Sequence, residues 1–229
     1  GFKPDIIFVP TARYFKDGNI PVMNMIRNME PLTGNYGNPL EERFKNIIRA
    51  WEAKRSTMKA DRVIAVSGYV KDYIVRKWGV PDSRIGVVYH GVDRKDESPE
   101  VMPSVLDETW RGRFLFTAGS IRPARGLEDI LDAWKLLKKG KPTARGIVIA
   151  GEATKGMTLY HHDLQKQVRK NDLETSVIWA GMLNNKEMAW CYRNCLAFVM
   201  TSRVEACPNV VLEALTNGCV SVSIDAPPM

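Results

Sequence analysis

Two glutamates and two arginines occupy positions from which they could bind an anion and a diol. Glu205 lies in a polar loop, and Glu213 follows eight residues later inside a short apolar helix. A carboxylate on such a helix costs free energy unless it reaches water or a partner, and one carboxylate can accept hydrogen bonds from both hydroxyls of a diol. Arg122 and Arg125 lie in the loop 119–126, which follows a predicted strand and opens a helix. Guanidinium groups beside the free N–H groups at the start of a helix form an anion site. The start of the helix at Pro208 is a second such site, and the two sites together could hold a diphosphate.

Each of these features also has a simpler explanation. Both arginines could be solvated loop residues, and two glutamates at this spacing occur by chance in many helices. The glycine loop matches neither the G-x-G-x-x-G fingerprint nor a Walker motif, so a dinucleotide cofactor or a P-loop is not indicated. No cysteine pairs with a histidine at zinc-ligand spacing, so we expect no metal site and no cofactor other than the substrate.

The elements that must hold these residues alternate between strands and helices. Continuous apolar runs are expected for strands that are buried on both faces of a parallel sheet. Segments with helical periodicity separate them, which indicates βαβ units and predicts an α/β fold. The predicted strands span 5–9, 20–26, 62–67, 85–89, 114–118, 146–150, 177–180, 197–200 and 220–224. The predicted helices span 39–59, 68–78, 127–139, 164–170, 184–193 and 208–216.

The alternation occurs twice and is interrupted once. Residues 93–110 lack apolar periodicity and contain two prolines and a charged run. Such composition is typical of a connecting segment. We therefore place two domains at 1–100 and 113–229, with a linker at 101–112.

The longest predicted helix carries Phe44, Ile47, Ile48 and Trp51 at the spacing of one helical face. This pattern favours a helix that packs its apolar face on the core and leaves its charged face in water. A basic amphipathic surface that touches a membrane is the alternative. The acidic residues mixed into the helix count against that alternative.

Charge and cysteine content narrow the class of protein. The net charge of +7 is divided between residues 1–100 (+4) and the remainder (+3). An excess that is not clustered argues weakly against nucleic-acid binding and fits an anionic substrate or an anionic membrane surface. The four cysteines of this 229-residue chain lie in its last 40 residues. We expect reduced thiols in the cytoplasm, with the inner face of the membrane as a further location.

Both ends of the chain lie close to predicted strands, so we expect a fragment in which both domains are truncated.

Four segments carry a resemblance to a known family. SRVEACPNVVLEALTNGCVSVSID resembles the donor-site signature of family 4 of the retaining GT-B glycosyltransferases, with Glu205 and Glu213 as its two glutamates. TAGSIRPARGLEDILDAW is similar to a glycine-rich segment of that family, although Ser120 stands where its first arginine is usual and Arg125 replaces its lysine. ADRVIAVS and IGVVYHGVD are similar to the end of the family's N-terminal domain.

The resemblance implies two Rossmann-like domains that face each other across a cleft, each a parallel sheet with helices on both faces. Residues 1–100 would be the C-terminal part of the acceptor-side domain, and residues 113–229 the donor-binding domain without its C-terminal end. The implied reaction moves a sugar from a UDP- or GDP-linked donor to a hydroxyl of a glycan, lipid or small molecule. It retains the anomeric configuration and needs no metal ion.

The resemblance also assigns site residues. Glu205 would position the transferred sugar, Arg122 and Arg125 would stabilise the departing diphosphate, and Glu213 would bind the ribose. The implied donor-binding residues are Gly119, Ser120, Gly181, Cys207, Pro208, Asn209, Val210 and Glu213. Arg27 and Asn28 would lie on the acceptor side of the cleft, with Arg27 at the place of a histidine common in the family.

Two other functions remain open at this point. One is a nucleotide-sugar epimerase or hydrolase on the same scaffold. The other is a non-catalytic module that binds a nucleotide sugar, an alternative motivated by Ser120 and Arg27. Peripheral association with a membrane is a further expectation, and nucleic acid is not expected as a partner.

Overall fold

The computed structural model describes residues 4–92, 100–140 and 143–228. They divide into two units. The first comprises the residues up to Gly91 together with 204–208 and 226–229, and the second comprises 92–203 and 209–225. Each unit contains a parallel sheet flanked by helices, so the predicted α/β class is confirmed.

The first unit is built on four parallel strands in the spatial order β1-β2-β3-β4. The strands are β1 (Ile7–Val9), β2 (Val22–Ile26), β3 (Arg62–Ala65) and β4 (Ile85–Val87). The helices are α1 (Glu30–Thr33), α2 (Leu40–Lys59) and α3 (Gly68–Trp78). The start of α3 is fixed by Ser67, whose hydroxyl oxygen accepts a hydrogen bond from the Val70 N–H at 3.3 Å, as expected for a serine N-cap.

Helix α2 forms where it was predicted, but its packing is the reverse of the prediction. The residues that it buries are small or polar: Asn46, Ala53, Ser56 and Thr57. The face predicted to enter the core is exposed, with Phe44 at 65%, Ile47 at 67% and Trp51 at 59%. Helical periodicity identifies an apolar face but not the surface that covers it, and here no described part of the first unit does so.

A smaller difference follows strand β2. No helix was predicted between residues 27 and 38, and Glu30–Thr33 forms the single helical turn α1, with Pro31 in its first turn. Proline is well tolerated at the start of a helix because the N–H that it lacks would have no partner there. Asn28 supports the turn by accepting a hydrogen bond from the Glu30 N–H at 3.0 Å.

The second unit contains five parallel strands in the spatial order β7-β6-β5-β8-β9. They are β5 (Phe114–Ala118), β6 (Gly146–Ala150), β7 (Val177–Gly181), β8 (Ala197–Met200) and β9 (Ser221–Ser223). The helices are α4 (Leu127–Lys139), α5 (Thr158–Lys170), α6 (Asn185–Asn194) and α7 (Asn209–Thr216). Helix α5 begins six residues before its predicted start at 164, because its first turns lack the apolar spacing on which the prediction relied.

The core of the second unit lies on both faces of its sheet. Phe114, Phe116 and Val148 belong to one buried cluster, whereas Ile147 and Ile149 belong to another. Adjacent residues of a strand point to opposite faces, so the alternation along β6 assigns the two clusters to the two faces. This arrangement explains the continuous apolar runs in the sequence. Leu137 continues the apolar spacing of α4 but is 51% exposed near the end of that helix.

The segment predicted as a linker is part of the second unit. Within 101–112, Leu106 and Trp110 are buried in the cluster that contains Phe114, and the Arg145 guanidinium lies 5.0 Å from the Trp110 ring centroid. Isolated apolar residues without periodicity can still be buried when a loop crosses a sheet, which the pattern did not predict. The rest of the aperiodic stretch, residues 93–99, lies outside the described residues.

Among the helices of the described part of the chain, none combines the length and apolar character needed to cross a bilayer.

Candidate functional site

The strand order of the second unit creates a site at one edge of its sheet. From β5 the chain proceeds to β6 and β7 on one side, and it then returns to β8 on the other side of β5. Open α/β sheets bind ligands outside the carboxyl ends of their strands, at the point where the order reverses. The loops that leave β5 and β8 flank that point, and the first of them is the predicted arginine loop.

Arg125 is held in place by three neighbours. Its guanidinium lies against the backbone of Gly119, where a Cβ atom would come within 3.0 Å of it, and it donates a hydrogen bond to the Ser202 hydroxyl at 3.3 Å. The Arg125 carbonyl accepts a hydrogen bond from the Thr201 hydroxyl at 3.0 Å. The loops that follow β5 and β8 are therefore joined at this residue, and its positive charge is positioned before any ligand arrives.

Arg203, which follows β8, also binds the arginine loop. It donates through its side chain to the Pro123 carbonyl at 2.8 Å and through its backbone N–H to the Ala124 carbonyl at 2.9 Å. Its guanidinium also forms a salt bridge with Asp129 at 3.1 Å. Asp129 lies in the first turn of α4, where its charge complements the helix dipole, and it also anchors Arg203.

Three glycines form the floor of the site at the ends of adjacent strands. Gly119 follows β5, Gly151 follows β6 and Gly181 ends β7. The Gly119 N–H donates to the Ala150 carbonyl at 3.0 Å, and the Gly151 N–H donates to the Gly181 carbonyl at 2.7 Å. A Cβ atom at Gly151 would lie 2.0 Å from the Gly119 carbonyl oxygen. The two backbones can approach this closely only because residue 151 has no side chain.

The Gly151→Ala substitution is expected to destabilise the second unit by about 3 kcal/mol. The added methyl group would collide with the Gly119 backbone, and the φ of +123° at this position disfavours any L side chain. Thermal or denaturant unfolding measures the effect. Gly156→Ala is the matched control, because Gly156 also has a positive φ of 87° but no atom lies within 4 Å of the place that an added methyl group would take; we expect it to cost about 1 kcal/mol. Equal losses for the two variants would contradict the close approach of the strands.

Glu213 has a protein partner that sequence reasoning did not identify. Its carboxylate accepts a hydrogen bond from the Tyr192 hydroxyl at 3.1 Å. Burial of Tyr192, together with the nearby charge of Glu213, raises the pKa of the phenol above its ordinary value. The phenol therefore remains a donor, and it partly satisfies a carboxylate that was expected to depend on a bound ribose alone.

The remaining predicted donor residues are divided between the units. Glu205, Cys207 and Pro208 belong to the first unit, in the segment 204–208, where the Ser67 hydroxyl donates to the Ala206 carbonyl at 2.6 Å. Asn209 and Val210 form the first turn of α7 in the second unit. The helix begins at Asn209 rather than at Pro208, so the prediction was early by one residue.

The other predicted positions flank these elements. Ser120 is half-buried directly after Gly119. Arg122 precedes the short 3-10 turn Pro123–Arg125, and the Arg125 N–H donates to its carbonyl at 2.9 Å. Arg27 and Asn28 are exposed at the carboxyl end of β2. The structure thus brings Gly119, Arg125 and Gly181 to one sheet edge and places Arg27 in the first unit.

Sequence reasoning missed the residues that hold the arginine loop. Thr201, Ser202 and Arg203 immediately follow β8, and Tyr192 lies in α6. The first three could have been found from the rule that ligands bind beyond the carboxyl ends of strands at an order reversal. Tyr192 carried no such signal, because its role depends on how α6 packs beside α7.

Within the described residues, no group of three or more His, Cys, Asp or Glu side chains is arranged to hold a metal ion. A small cavity of about 10 Å³ lies between the carboxyl ends of β5, β6 and β8, and Arg125 and Ser202 contribute to its lining.

Comparisons with known proteins agree with this architecture. The sequence profile of the family described as Glycosyl transferases group 1 matches residues 105–229. The profile described as Glycosyltransferase Family 4 matches residues 1–96.

Two curated relatives are similar over most of this chain. Mannosylfructose-phosphate synthase of Agrobacterium fabrum (strain C58 / ATCC 33970) is 24% identical over 173 residues, which cover 71% of this chain and 37% of the relative. The lipopolysaccharide core biosynthesis mannosyltransferase LpsB of Rhizobium meliloti (strain 1021) is 28% identical over 171 residues, which cover 73% of this chain and 46% of the relative. The chain therefore spans less than half the length of each.

Solved structures share the fold. The Anabaena protein Alr3699/HepE, crystallised in complex with UDP-glucose, matches with a TM-score of 0.73 at 18% sequence identity, covering 97% of this chain and 60% of that one. Staphylococcus aureus TarM matches with a TM-score of 0.66 at 15% identity, covering 91% of this chain and 37% of that one. Since the group 1 profile matches more than half of the sequence, the chain belongs to the glycosyl transferases group 1, within the family 4 enzymes of the GT-B fold.

Proposed function

We propose that the protein transfers a sugar from a nucleotide-sugar donor to an acceptor hydroxyl with retention of the anomeric configuration. The observation that carries the proposal is the position of Arg125 at the carboxyl ends of β5 and β8, where the order of the sheet reverses, in a chain that belongs to this family. The UDP-glucose complex of the HepE structure supports a nucleotide-sugar donor. The two mannosyl-related names support a hexose as the transferred group.

Arg125 and Arg122 are assigned to the diphosphate. Negative charge grows on the leaving diphosphate as the bond to the sugar breaks, and preorganised donors stabilise that charge most in the transition state. The N–H groups at the start of α4, directly after the arginine loop, provide a further anion-binding element. Ser120 contributes a hydroxyl where the family usually has a guanidinium. Arg122 and Arg125 must therefore supply the positive charge that stabilises the leaving diphosphate.

Glu213 is assigned to the ribose of the nucleotide. Its carboxylate is half-buried and already accepts a hydrogen bond from Tyr192, which fixes its orientation. A carboxylate has about four lone-pair positions, so one hydrogen bond from tyrosine leaves capacity for both hydroxyls of a diol.

Titration with UDP, GDP and ADP tests the donor assignment and identifies the base. We expect one of the first two to bind, and Glu213→Gln to weaken that binding about tenfold, because a charge-assisted hydrogen bond would become a neutral one. Isothermal titration measures the affinity. Glu174→Gln is the matched control, since Glu174 is exposed elsewhere on the same unit. Binding of none of the three nucleotides, or equal binding by both variants, would contradict the assignment.

Turnover with and without an acceptor tests the reaction class. A transferase releases the nucleotide much faster when an acceptor hydroxyl is supplied. Turnover that does not depend on acceptor would favour an epimerase or hydrolase, and nucleotide binding without any turnover would favour a non-catalytic module. Analysis of the product's anomeric configuration tests retention.

A further inference from the structure

The outer face of α2 is an apolar stripe bordered by positive charge. Large apolar side chains occupy an arc of about 100° around the helix axis, on the side opposite to the buried residues Asn46 and Ala53. The members of this stripe are Leu40, Phe44, Ile47, Ile48, Trp51 and Met58, all exposed. Single exposed apolar residues are ordinary on a protein surface, but a contiguous exposed set marks an interaction site.

Basic side chains line both edges of the stripe. At 100° per residue, Arg43 and Lys54 fall along one edge and Lys59 along the other, while Arg55 lies within the stripe beside Trp51. Two further basic residues, Lys45 and Arg49, form salt bridges with Glu41 and Glu42 at 2.5 Å each. The acidic residues near the start of α2 are therefore largely neutralised within the helix, and the charge beside the stripe is positive.

A cavity adjoins one edge of the stripe. It has a volume of about 440 Å³ and is lined by Arg13, Tyr14, Trp51, Glu52, Arg55, Ser56 and Lys59. The segment that carries Arg13 is attached to the helix by the Ser56 hydroxyl, which donates to the Ala12 carbonyl at 3.0 Å. Three cations and one carboxylate face this space, so it suits an anionic group, and its position places that group beside the apolar stripe.

Aromatic rings hold two of the cations at the cavity. The Arg55 guanidinium lies 5.3 Å from the Trp51 ring centroid, and the Lys59 ammonium lies 5.7 Å from the Tyr14 ring centroid. Tryptophan and tyrosine are typical of the membrane interface, where long basic side chains extend toward the headgroups while their stems cover apolar surface. The exposed Phe15 (61%) follows Tyr14 and adds apolar surface to the same segment.

We propose that the outer face of α2 and the adjoining cavity bind the surface of a membrane that contains anionic phospholipid. The apolar stripe lies among the acyl chains near the interface, and a lipid phosphate occupies the cavity between Arg13, Arg55 and Lys59. An amphipathic helix of this kind lies in the interface plane, with affinity from both apolar burial and electrostatic attraction. The proposal uses residues of the first unit only and does not depend on the transferase reaction.

Co-sedimentation with lipid vesicles tests the proposal. The probes are vesicles of phosphatidylcholine alone and vesicles in which phosphatidylglycerol replaces about one third of it. We expect at least tenfold tighter binding to the anionic vesicles, and loss of most of that difference when ionic strength is raised to about 0.5 M. Arg55→Gln with Lys59→Gln should weaken binding to anionic vesicles about 25-fold, roughly fivefold for each charge.

Phe44→Ser with Trp51→Ser tests the apolar component and should weaken binding to both kinds of vesicle more than tenfold. Because both residues are exposed, thermal unfolding should remain unchanged. Leu136→Ser with Leu159→Ser is the matched control, since these leucines are 68% and 77% exposed in the second unit. Lys135→Gln with Lys139→Gln is the corresponding charge control on α4.

Three results would overturn the proposal. One is equal binding to neutral and anionic vesicles, and another is equal loss in the α2 variants and their controls. The third is a dimer in the absence of lipid that Phe44→Ser with Trp51→Ser converts to monomer, which would make a second copy of the chain the occupant of the stripe.

Discussion

Arg125→Ala is expected to lower kcat/KM for sugar transfer about 1000-fold. The guanidinium is held against Gly119 and by Ser202, so little reorganisation is needed when charge develops on the leaving diphosphate. Removing the guanidinium therefore removes a preorganised positive charge that stabilises the transition state. Steady-state assays with a nucleotide sugar and a competent acceptor measure the loss, and nucleotide affinity should fall by a smaller factor than turnover.

Two further variants sharpen the interpretation of Arg125→Ala. Arg125→Lys should keep activity within about tenfold of the unsubstituted protein, because a lysine retains the charge but not the planar pair of donors. Arg113→Ala is the matched control, since Arg113 precedes β5 at the opposite end of that strand, where its side chain donates to the Thr143 carbonyl at 3.4 Å. A loss for Arg125→Ala no greater than that for Arg113→Ala would remove Arg125 from the proposed machinery.

The central strands of the second sheet could be predicted from the sequence because burial on two faces produces a continuous run of apolar residues. Val148 and its neighbours Ile147 and Ile149 are apolar in succession since each faces a core. The arginine loop could be predicted for a related reason. Glycines at the end of a strand, followed by a helical pattern, define where the chain turns over the sheet edge.

Long-range packing was the part that the sequence could not provide. The periodicity of α2 identified an apolar face correctly, but that face is directed away from the sheet, which the helix contacts through Ser56 and Asn24 (Nδ2 to Oγ, 3.3 Å). Small and polar residues allow a helix to approach a sheet closely, and such residues carry little signal in a hydrophobic pattern. The reversed face could be recognised only from the structure, and it is the basis of the membrane proposal.

The same limit applied to the candidate site. Glu213 was recognised as an unusual carboxylate, yet its partner Tyr192 lies 21 residues away on another helix. Arg203 was not selected at all, although it joins Pro123 and Asp129 across separations of 80 and 74 residues. Motifs report the residues that contact a ligand in relatives, whereas the residues that orient them are specified by packing.

Glu205→Ala is expected to reduce turnover about 100- to 1000-fold while nucleotide affinity stays nearly unchanged. Val204 and Ala206 are buried on either side of Glu205, which remains partly exposed, and the Ser67 hydroxyl fixes the Ala206 carbonyl. The backbone at Glu205 is thus held in place, which suits a residue that positions the transferred sugar by accepting its hydroxyls. Because the nucleotide is assigned to Glu213 and the arginines, its binding should not require Glu205.

The separation of turnover from affinity is the decisive part of this prediction. Glu205→Gln should recover part of the activity, because an amide oxygen still accepts one hydroxyl. Glu152→Ala is the matched control, since Glu152 is an exposed glutamate that follows β6 at the same edge of the sheet as the arginine loop. Unchanged turnover in Glu205→Ala would show that the donor site is wrongly assigned. A contact to the transferred sugar can lower turnover while the affinity for the free nucleotide stays the same. A parallel loss of nucleotide affinity would instead show that Glu205 binds the nucleotide part of the donor as well.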